Sequence, residues 1–318
     1  MLRFHAYIAL GLCLAATLFI GGFAGPLHAG QEVRLFLPLA LTPPTPAQLA
    51  IERVNHYRAI AGVPAVELNS FLTRAAQNHA DYIVLNADDP STFANPHGEA
   101  RGHPGFTGIG PTARVNAIWP EYADYLSYIH GPASEAMHWL SNPVKSVDGL
   151  IDAPYHRIIL LEADLELAGY GISTGKQKVD VFDFLGRKDS PAGKIQVPLV
   201  YPGDGQTDVP IDWDGAEAPS PLPAGVRLPV GYPITLQKRS FVGSNILLVT
   251  SAELRDAMGN LVPVHPNAPG CVKYQTCAMM IAISPFNPNS TYTVHVTGSL
   301  KEVPFDLQWR FTTAAVSP

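Results

Sequence analysis

Residues 51–86 read IERVNHYRAIAGVPAVELNSFLTRAAQNHADYIVLN, and this stretch decides the fold of the first half of the chain. Thr45 and Pro46, just before it, are typical of a helix start, and Gly62 is typical of a helix end. A second helix is predicted after Asn69. Its core-facing stripe repeats at helical spacing and consists of Leu72, Ala75, Ala76, His79 and Ile83. On such a stripe His79 is expected to be a core histidine with satisfied hydrogen bonds rather than a ligand.

The sequence downstream predicts a mixture of loops, helices and strands. Residues 88–111 are rich in Pro, Gly, Asp and His and predict a long ordered loop. Short helices are predicted over 112–119 and 134–140, with a strand over 125–129. Residues 167–173 and 178–184 predict a pair of strands that are apolar on both faces, as expected for a sheet covered by helices on each side.

Several short motifs occur in a fixed order along this half: NHYR at 55–58, AQNHA at 76–80, PHGE at 96–99, YHR at 155–157 and AGYGI at 168–172. Over residues 46–184 the chain resembles the bacterial branch of the CAP superfamily, the cysteine-rich secretory, antigen five and pathogenesis-related proteins. The resemblance implies an α-β-α sandwich with a cavity built around two histidines and two glutamates.

The resemblance assigns the cavity histidines residue by residue. His97 occupies the first histidine position, with His103 as the alternative, and His156 occupies the second. Ser127 or a neighbour stands where the family carries one glutamate, and Asn142 stands where it carries the other. Both carboxylates are thus missing from their usual positions.

Glu99 and Glu135 are the nearby carboxylates that could replace them. His97 and His156 are the candidate ligands for a divalent metal such as zinc, although two imidazoles bind such an ion weakly without a third ligand. The chain has no G-x-S-x-G nucleophile motif and no H-E-x-x-H zinc motif, so catalysis is left open.

The second half changes character, because strands and turns without helical periodicity run from residue 195 to 315. The clearest strand alternates Phe305, Leu307, Trp309 and Phe311 with polar residues. This half resembles the Ig-like modules of exported bacterial proteins and is interpreted as a spacer or binding platform. The predicted fold class is α+β: a CAP-type α-β-α sandwich over 46–188, then an all-β Ig-like sandwich over 195–315 that folds independently.

The N-terminus predicts export. Residues 1–29 carry a basic residue, Arg3, before an apolar run and are interpreted as a signal peptide, with an uncleaved membrane anchor as the alternative. A Pro-rich linker over 30–45 follows. In an oxidising compartment Cys271 and Cys277, six apart, are expected to form a disulfide.

Composition narrows the function classes. The net charge is −6, without long charged runs, and no phosphate-binding glycine motif is present, which argues against nucleic acid and nucleotides as partners. The leading hypothesis is a secreted protein that binds an extracellular lipid, glycan, peptide or cell-envelope component in a histidine-lined cavity, with metal dependence left open. The alternatives are a metal-assisted hydrolase of envelope or peptide substrates and a structural surface protein with a vestigial cavity.

Overall fold

The structure is a computed structural model of the chain. It describes residues 43–119, 121, 129–187, 190–239, 246–266, 271 and 276–316. Residues 43–187 are called the N-terminal part below, and residues 190–316 the C-terminal part.

The α-helices of the described residues lie in the N-terminal part: α1 (Pro46–Ile60), α2 (Ser70–Leu85), α3 (Pro90–Ala94), α4 (Pro111–Ile118), α5 (Pro143–Asp152) and α6 (Pro154–Leu160). The start of α1 is as predicted: Thr45 accepts from the backbone N–H of Gln48, and the Gln48 side chain accepts from the backbone N–H of Thr45. Asn69 likewise caps α2 through the backbone N–H groups of Phe71 and Leu72.

The N-terminal part contains a four-stranded sheet with the order β1-β3-β4-β2, where β1 is Glu67–Leu68, β2 is Ile129–His138, β3 is Leu165–Thr174 and β4 is Lys178–Arg187. Strand β1 runs parallel to β3, and the other neighbours are antiparallel. The strands β3 and β4 confirm the predicted strand pair.

Helices cover both faces of this sheet. Helix α2 lies directly on β3, because a Cβ on Gly169 would be 2.2 Å from the Leu72 backbone, and one on Gly171 would be 2.3 Å from the Ala76 backbone. The two glycines therefore permit a helix–strand contact that no larger residue allows. On the opposite face, side chains of β3 and β4 such as Tyr170 join a core with those of α1 and α5.

The helix predicted over 134–140 is wrong, because these residues belong largely to β2. Strand β2 pairs with β4, with Glu135 opposite Asp183 and Ala136 opposite Phe182. Helices cover both faces, so Ala133, Ala136 and Met137 are all buried and the alternation that marks a half-exposed strand is lost. Of the strand predicted over 125–129, residues 125–128 lie outside the described residues.

The C-terminal part begins with a short 3-10 helix (Ala192–Lys194) and otherwise contains strands: β5 (Leu199–Tyr201), β6 (Gln206–Val209), β7 (Asp212–Trp213), β8 (Val230–Gly231), β9 (Ile234–Gln237), β10 (Leu247–Arg255), β11 (Cys277–Met280), β12 (Thr291–Leu300) and β13 (Val303–Thr313). They form sheets with the orders β10-β12-β13-β6, β11-β9-β5 and β7-β8. Strand β13 confirms the predicted alternation. The chain is thus a mixed α and β protein.

The hydrophobic core continues from one part into the other. A single cluster of buried side chains contains Ile51 and Leu150 of the N-terminal part together with Leu199, Ile234 and Trp309 of the C-terminal part. Residues 43–318 accordingly form one compact unit. Independent folding of 46–188 and 195–315 stays a prediction, and the shared cluster is the apolar surface that separation would expose.

The predicted disulfide is present and lies at this junction. Cys271 and Cys277 are bonded, with their Cα atoms 4.7 Å apart. Both half-cystines are buried against Ile158 and Tyr155 of α6, so the disulfide packs on the N-terminal part as well as closing its own loop.

Arg157 of α6 is fully buried where the two parts meet. Its guanidinium donates to the carbonyl oxygens of Ile151, in the N-terminal part, and Pro233, in the C-terminal part. It also lies 4.6 Å and 4.9 Å from the ring centroids of Tyr201 and Tyr232. One cation thus satisfies acceptors in both parts while the two rings cover its faces.

We expect Arg157→Met to lower the free energy of unfolding by about 3 kcal/mol, because two buried carbonyl groups lose a charged donor. Chemical denaturation monitored by tryptophan fluorescence measures this. Arg187→Met is the matched control, since Arg187 contacts Glu166 at 3.0 Å with 57% of its side chain exposed, and an exposed pair contributes less than about 1 kcal/mol. Equal effects of the two substitutions would contradict the assigned role of Arg157.

Candidate functional site

The centre of the candidate site is the pair His97 and Glu135. The Nδ1 atom of His97 lies 2.8 Å from Oε1 of Glu135. The His97 side chain is 44% exposed, whereas the Glu135 side chain is 1% exposed. A buried carboxylate therefore holds one edge of a partly exposed imidazole.

Arg114, on α4, fixes both members of this pair. Its Nη2 donates to Oε2 of Glu135, and its Nη1 donates to the backbone carbonyl oxygen of His97 at 3.2 Å. The guanidinium is fully buried. Burial opposes ionisation of Glu135, but the hydrogen bond from His97 and the charges of His79 and Arg114 outweigh it and lower the pKa of Glu135.

Glu99 lies deeper and is occupied by other donors. Its oxygens accept from Nδ1 of His79 at 3.0 Å and from the backbone N–H groups of Thr107 and Gly108. Against the cost of burial, these hydrogen bonds lower the pKa of Glu99. Glu99 therefore has a structural role here, in ordering the loop over 99–108.

His79 is buried, as its place on the stripe predicted. Its Nε2 lies 2.9 Å from the carbonyl oxygen of Pro96, so both ring nitrogens are occupied. The same Nε2 lies 3.8 Å from Glu135. His79, His97, Glu99, Arg114, Glu135 and Asp183 are called the Glu135 cluster below.

Asp183 completes this cluster from the neighbouring strand. It lies opposite Glu135 in the β2–β4 register and is fully buried, and neither of its oxygens accepts a hydrogen bond from a described residue. Burial and the negative charge of Glu135 raise the pKa of Asp183 well above its ordinary value. This shift favours the protonated form of Asp183, whose hydroxyl hydrogen is then available to Glu135.

His156 lies in a different environment. Its Nδ1 is 3.0 Å from Oε1 of Glu217, a residue of the C-terminal part, at ion-pair distance although not aligned as a hydrogen bond. It also interacts electrostatically with His138, which packs on Gly149 of α5. His97 and His156 thus contact two different carboxylates.

Alternation along β2 separates the two environments further. Glu135 lies on the face of the sheet that is covered by α2, together with His79. His138, three residues later, lies on the face that is covered by α5. The pairing of His97 and His156 as metal ligands stays a prediction.

The remaining predicted site residues lie elsewhere or outside the description. His103 contacts Asp89 at 3.4 Å and is about one-third exposed. Ser127 lies outside the described residues. Within the described part of the chain, no three His, Cys, Asp or Glu side chains group as a metal site. A zinc ion needs three or four protein ligands, so the ligand set offered by these residues is incomplete.

Three important residues were not identified from the sequence. Arg114 and Asp183 lie in segments that resemble ordinary amphipathic elements, and Glu217 is about 60 residues from its partner. The only sequence signal for Asp183 is a charged residue within the apolar run VFDFL at 181–185, which is typical of a buried group with a special partner.

Comparison with known families agrees with the resemblance seen in the N-terminal part. The family model described as the cysteine-rich secretory protein family, CAP, matches residues 51–184. Those residues form a CAP domain. The match includes His97, Arg114, Glu135, His156 and Asp183, whereas Glu217 lies outside it.

Solved structures similar to this chain include three bacterial proteins. An extracellular protein containing an SCP domain from Bacillus anthracis is 14% identical, and the match covers 45% of this chain and 40% of that protein. A cysteine-rich secretory protein from Staphylococcus aureus is also 14% identical, with 43% of this chain and 36% of that protein covered. An outer surface protein from Borrelia burgdorferi is 15% identical, with 43% of this chain and 90% of that protein covered, and the TM-score is 0.29 in all three cases. The matched region spans well under half of the first two. No curated protein matches the chain. Across the described residues, no helix is both long and apolar enough to span a bilayer.

We expect Asp183→Asn to stabilise the CAP domain increasingly as the pH rises. Between the unfolded pKa of about 3.9 and the raised pKa in the fold, the folded wild type binds more protons than the unfolded chain, so its stability falls with rising pH. Asn does not titrate and can still donate to Glu135. The melting temperature of the variant should exceed that of the wild type by a margin that grows as the pH is raised from 4 to 8. The control, Asp306→Asn at the exposed Asp306, should show no such divergence, and parallel curves for Asp183→Asn would contradict a protonated Asp183.

Proposed function

We propose that this is an exported CAP-domain protein that binds an extracellular ligand at a surface centred on His97. One observation supports it most: a partly exposed imidazole whose Nδ1 is held by a buried carboxylate. The N-terminal segment over 1–29 and the disulfide support an oxidising, extracellular location.

The chemistry of His97 fits a hydrogen-bonding ligand. When Nδ1 of a neutral imidazole donates to a carboxylate, Nε2 is left as an acceptor. Arg114 holds both the carboxylate and the His97 backbone, so the ring is oriented before a ligand arrives and little ordering entropy is lost on binding. Hydroxyl and amide groups of a glycan, peptide, lipid headgroup or cell-envelope component are suitable partners.

The alternative is a metal-assisted hydrolase of envelope or peptide substrates. A carboxylate that orients the second nitrogen of a histidine is the usual arrangement behind a metal ligand, which favours this reading. The incomplete ligand set among the described residues weighs against it. A third possibility is a structural surface protein, in which the contacts of His97 and Glu135 only fix the conformation of the loops.

We expect His97→Gln to weaken ligand binding at least tenfold, about 1.4 kcal/mol, with little change in melting temperature, because the exposed side of the ring is lost. The secreted protein is tested against muropeptides, phospholipid vesicles, glycans and a peptide library, with titration calorimetry of each ligand that binds.

His295→Gln is the matched control for this experiment. His295 is 41% exposed and contacts Asp306 at 2.7 Å, so it is a comparable surface histidine–carboxylate pair in the C-terminal part. If the ligands bind His97→Gln and His295→Gln with the same affinity as they bind the wild type, a site at His97 is refuted. Zinc titration of wild type, His97→Gln and His156→Gln, with turnover of the same peptides and muropeptides, separates simple binding from hydrolysis.

A further inference from the structure

One turn of the C-terminal part reaches the CAP domain at its second candidate histidine. The turn over 214–218 lies between β7 and β8, and Asp214, Ala216 and Ala218 are exposed. The Glu217 side chain, in contrast, has no exposed surface. A carboxylate buried from an otherwise exposed turn is costly unless it has specific partners.

The turn is built to present this one side chain. Oδ1 of Asp214 accepts from the backbone N–H of Ala216 at 3.0 Å, and the backbone N–H of Glu217 donates to the carbonyl oxygen of Gly215 at 2.7 Å. Gly215 has φ of +83°, which favours glycine. Two hydrogen bonds of the turn are therefore made without the Glu217 side chain.

The Glu217 carboxylate contacts two successive residues of the CAP domain, in addition to the backbone N–H of Ala218 in its own turn, which donates to Oε1 at 3.0 Å. Oε2 accepts from the backbone N–H of Tyr155 at 2.8 Å, and Oε1 lies 3.0 Å from Nδ1 of His156. Nδ1 itself is buried, whereas 28% of the His156 side chain is exposed. The exposed part of the side chain therefore lies away from Nδ1.

We propose that Glu217 is a positioning residue that fixes Nδ1 of His156 and turns Nε2 toward the solvent, so that the C-terminal part completes the CAP-domain surface. The CAP domain lacks a carboxylate of its own at this histidine among the described contacts, and the appended part supplies one. A buried carboxylate then lies behind the His156 ring, as Glu135 lies behind the His97 ring, although only the His97 contact is aligned as a hydrogen bond. The inference rests on the proposed function only in treating His156 as part of the binding surface.

The alternative role for Glu217 is to cap the start of α6 through Tyr155. The variant Glu217→Gln separates the two roles, because its amide oxygen can still accept from Tyr155 while its charge is removed. Nitrogen-15 NMR of the full chain at pH 8.5, well above the ordinary imidazole pKa of about 6.5, reports which nitrogen of His156 carries the proton. No ligand is needed, so this result is independent of the binding experiment with His97→Gln.

We expect wild-type His156 to be protonated at Nδ1 and the Glu217→Gln variant to shift toward protonation at Nε2. Diethyl pyrocarbonate, which modifies the unprotonated nitrogen, should then react with His156 several-fold more slowly in the variant, as measured by peptide mapping. The exposed His56 should be unchanged. Asp306→Asn is the matched control and should alter His295 alone.

Two outcomes would overturn the proposal. The first is an Nε2 proton on His156 already in the wild type. The second is an unchanged proton position and an unchanged reaction rate in Glu217→Gln, which would leave Glu217 with a capping role only.

Discussion

The burial of Arg157 between the two parts is the constraint on which the rest of the structure depends. Its hydrogen bonds to Ile151 and Pro233 are made inside the protein, where an unpaired cation would be very costly. The guanidinium also lies over the rings of Tyr201 and Tyr232 and donates to the hydroxyl of Thr235 at 3.4 Å, and all three residues belong to the C-terminal part. Arg157 is next to His156 in α6, so the residue that joins the parts also fixes the position of a candidate site residue.

In the Glu135 cluster, too, buried charged groups need partners, but here most of the groups are carboxylic acids. Three carboxyl groups lie close together beneath His97, and one guanidinium, Arg114, contacts Glu135 and approaches Glu99 to 3.9 Å. Burial and the negative charge of Glu135 outweigh the influence of Arg114 on the third carboxyl group, Asp183, and raise its pKa, which favours its protonated form. Protonation of Asp183 leaves the ionised Glu135 directed at His97.

The sequence predicted the local elements well because their signals are local. Caps such as Thr45 and Asn69 and the glycines of β3 each act within a few residues or across one contact. Strand β2 was mistaken in part for a helix because burial on both faces removes the alternation that identifies strands. His97 was identified through a motif, and Glu135 through its proximity along the chain.

The partners of His156 and Arg157 could not be found in this way. Glu217 and Pro233 are 61 and 76 residues distant from the residues they contact, and no periodicity connects them. The interpretation of the second half as a spacer rested on its lack of clustered histidines, cysteines and acidic residues. One isolated glutamate is sufficient, however, to contact a site histidine when that histidine is supplied by another part of the fold.

The position of α6 has a thermodynamic consequence for the whole chain. The C-terminal part contacts this short helix through Glu217, through the disulfide and through Gln237, which donates to the carbonyl oxygen of Ile158. Any ligand whose binding moves α6 must therefore work against these contacts. Coupling of this kind is reciprocal, so two ligands that each bind better to the same position of α6 would strengthen one another's binding by the same free energy. The C-terminal part is thus a determinant of the CAP-domain surface, in addition to any ligand that it binds itself.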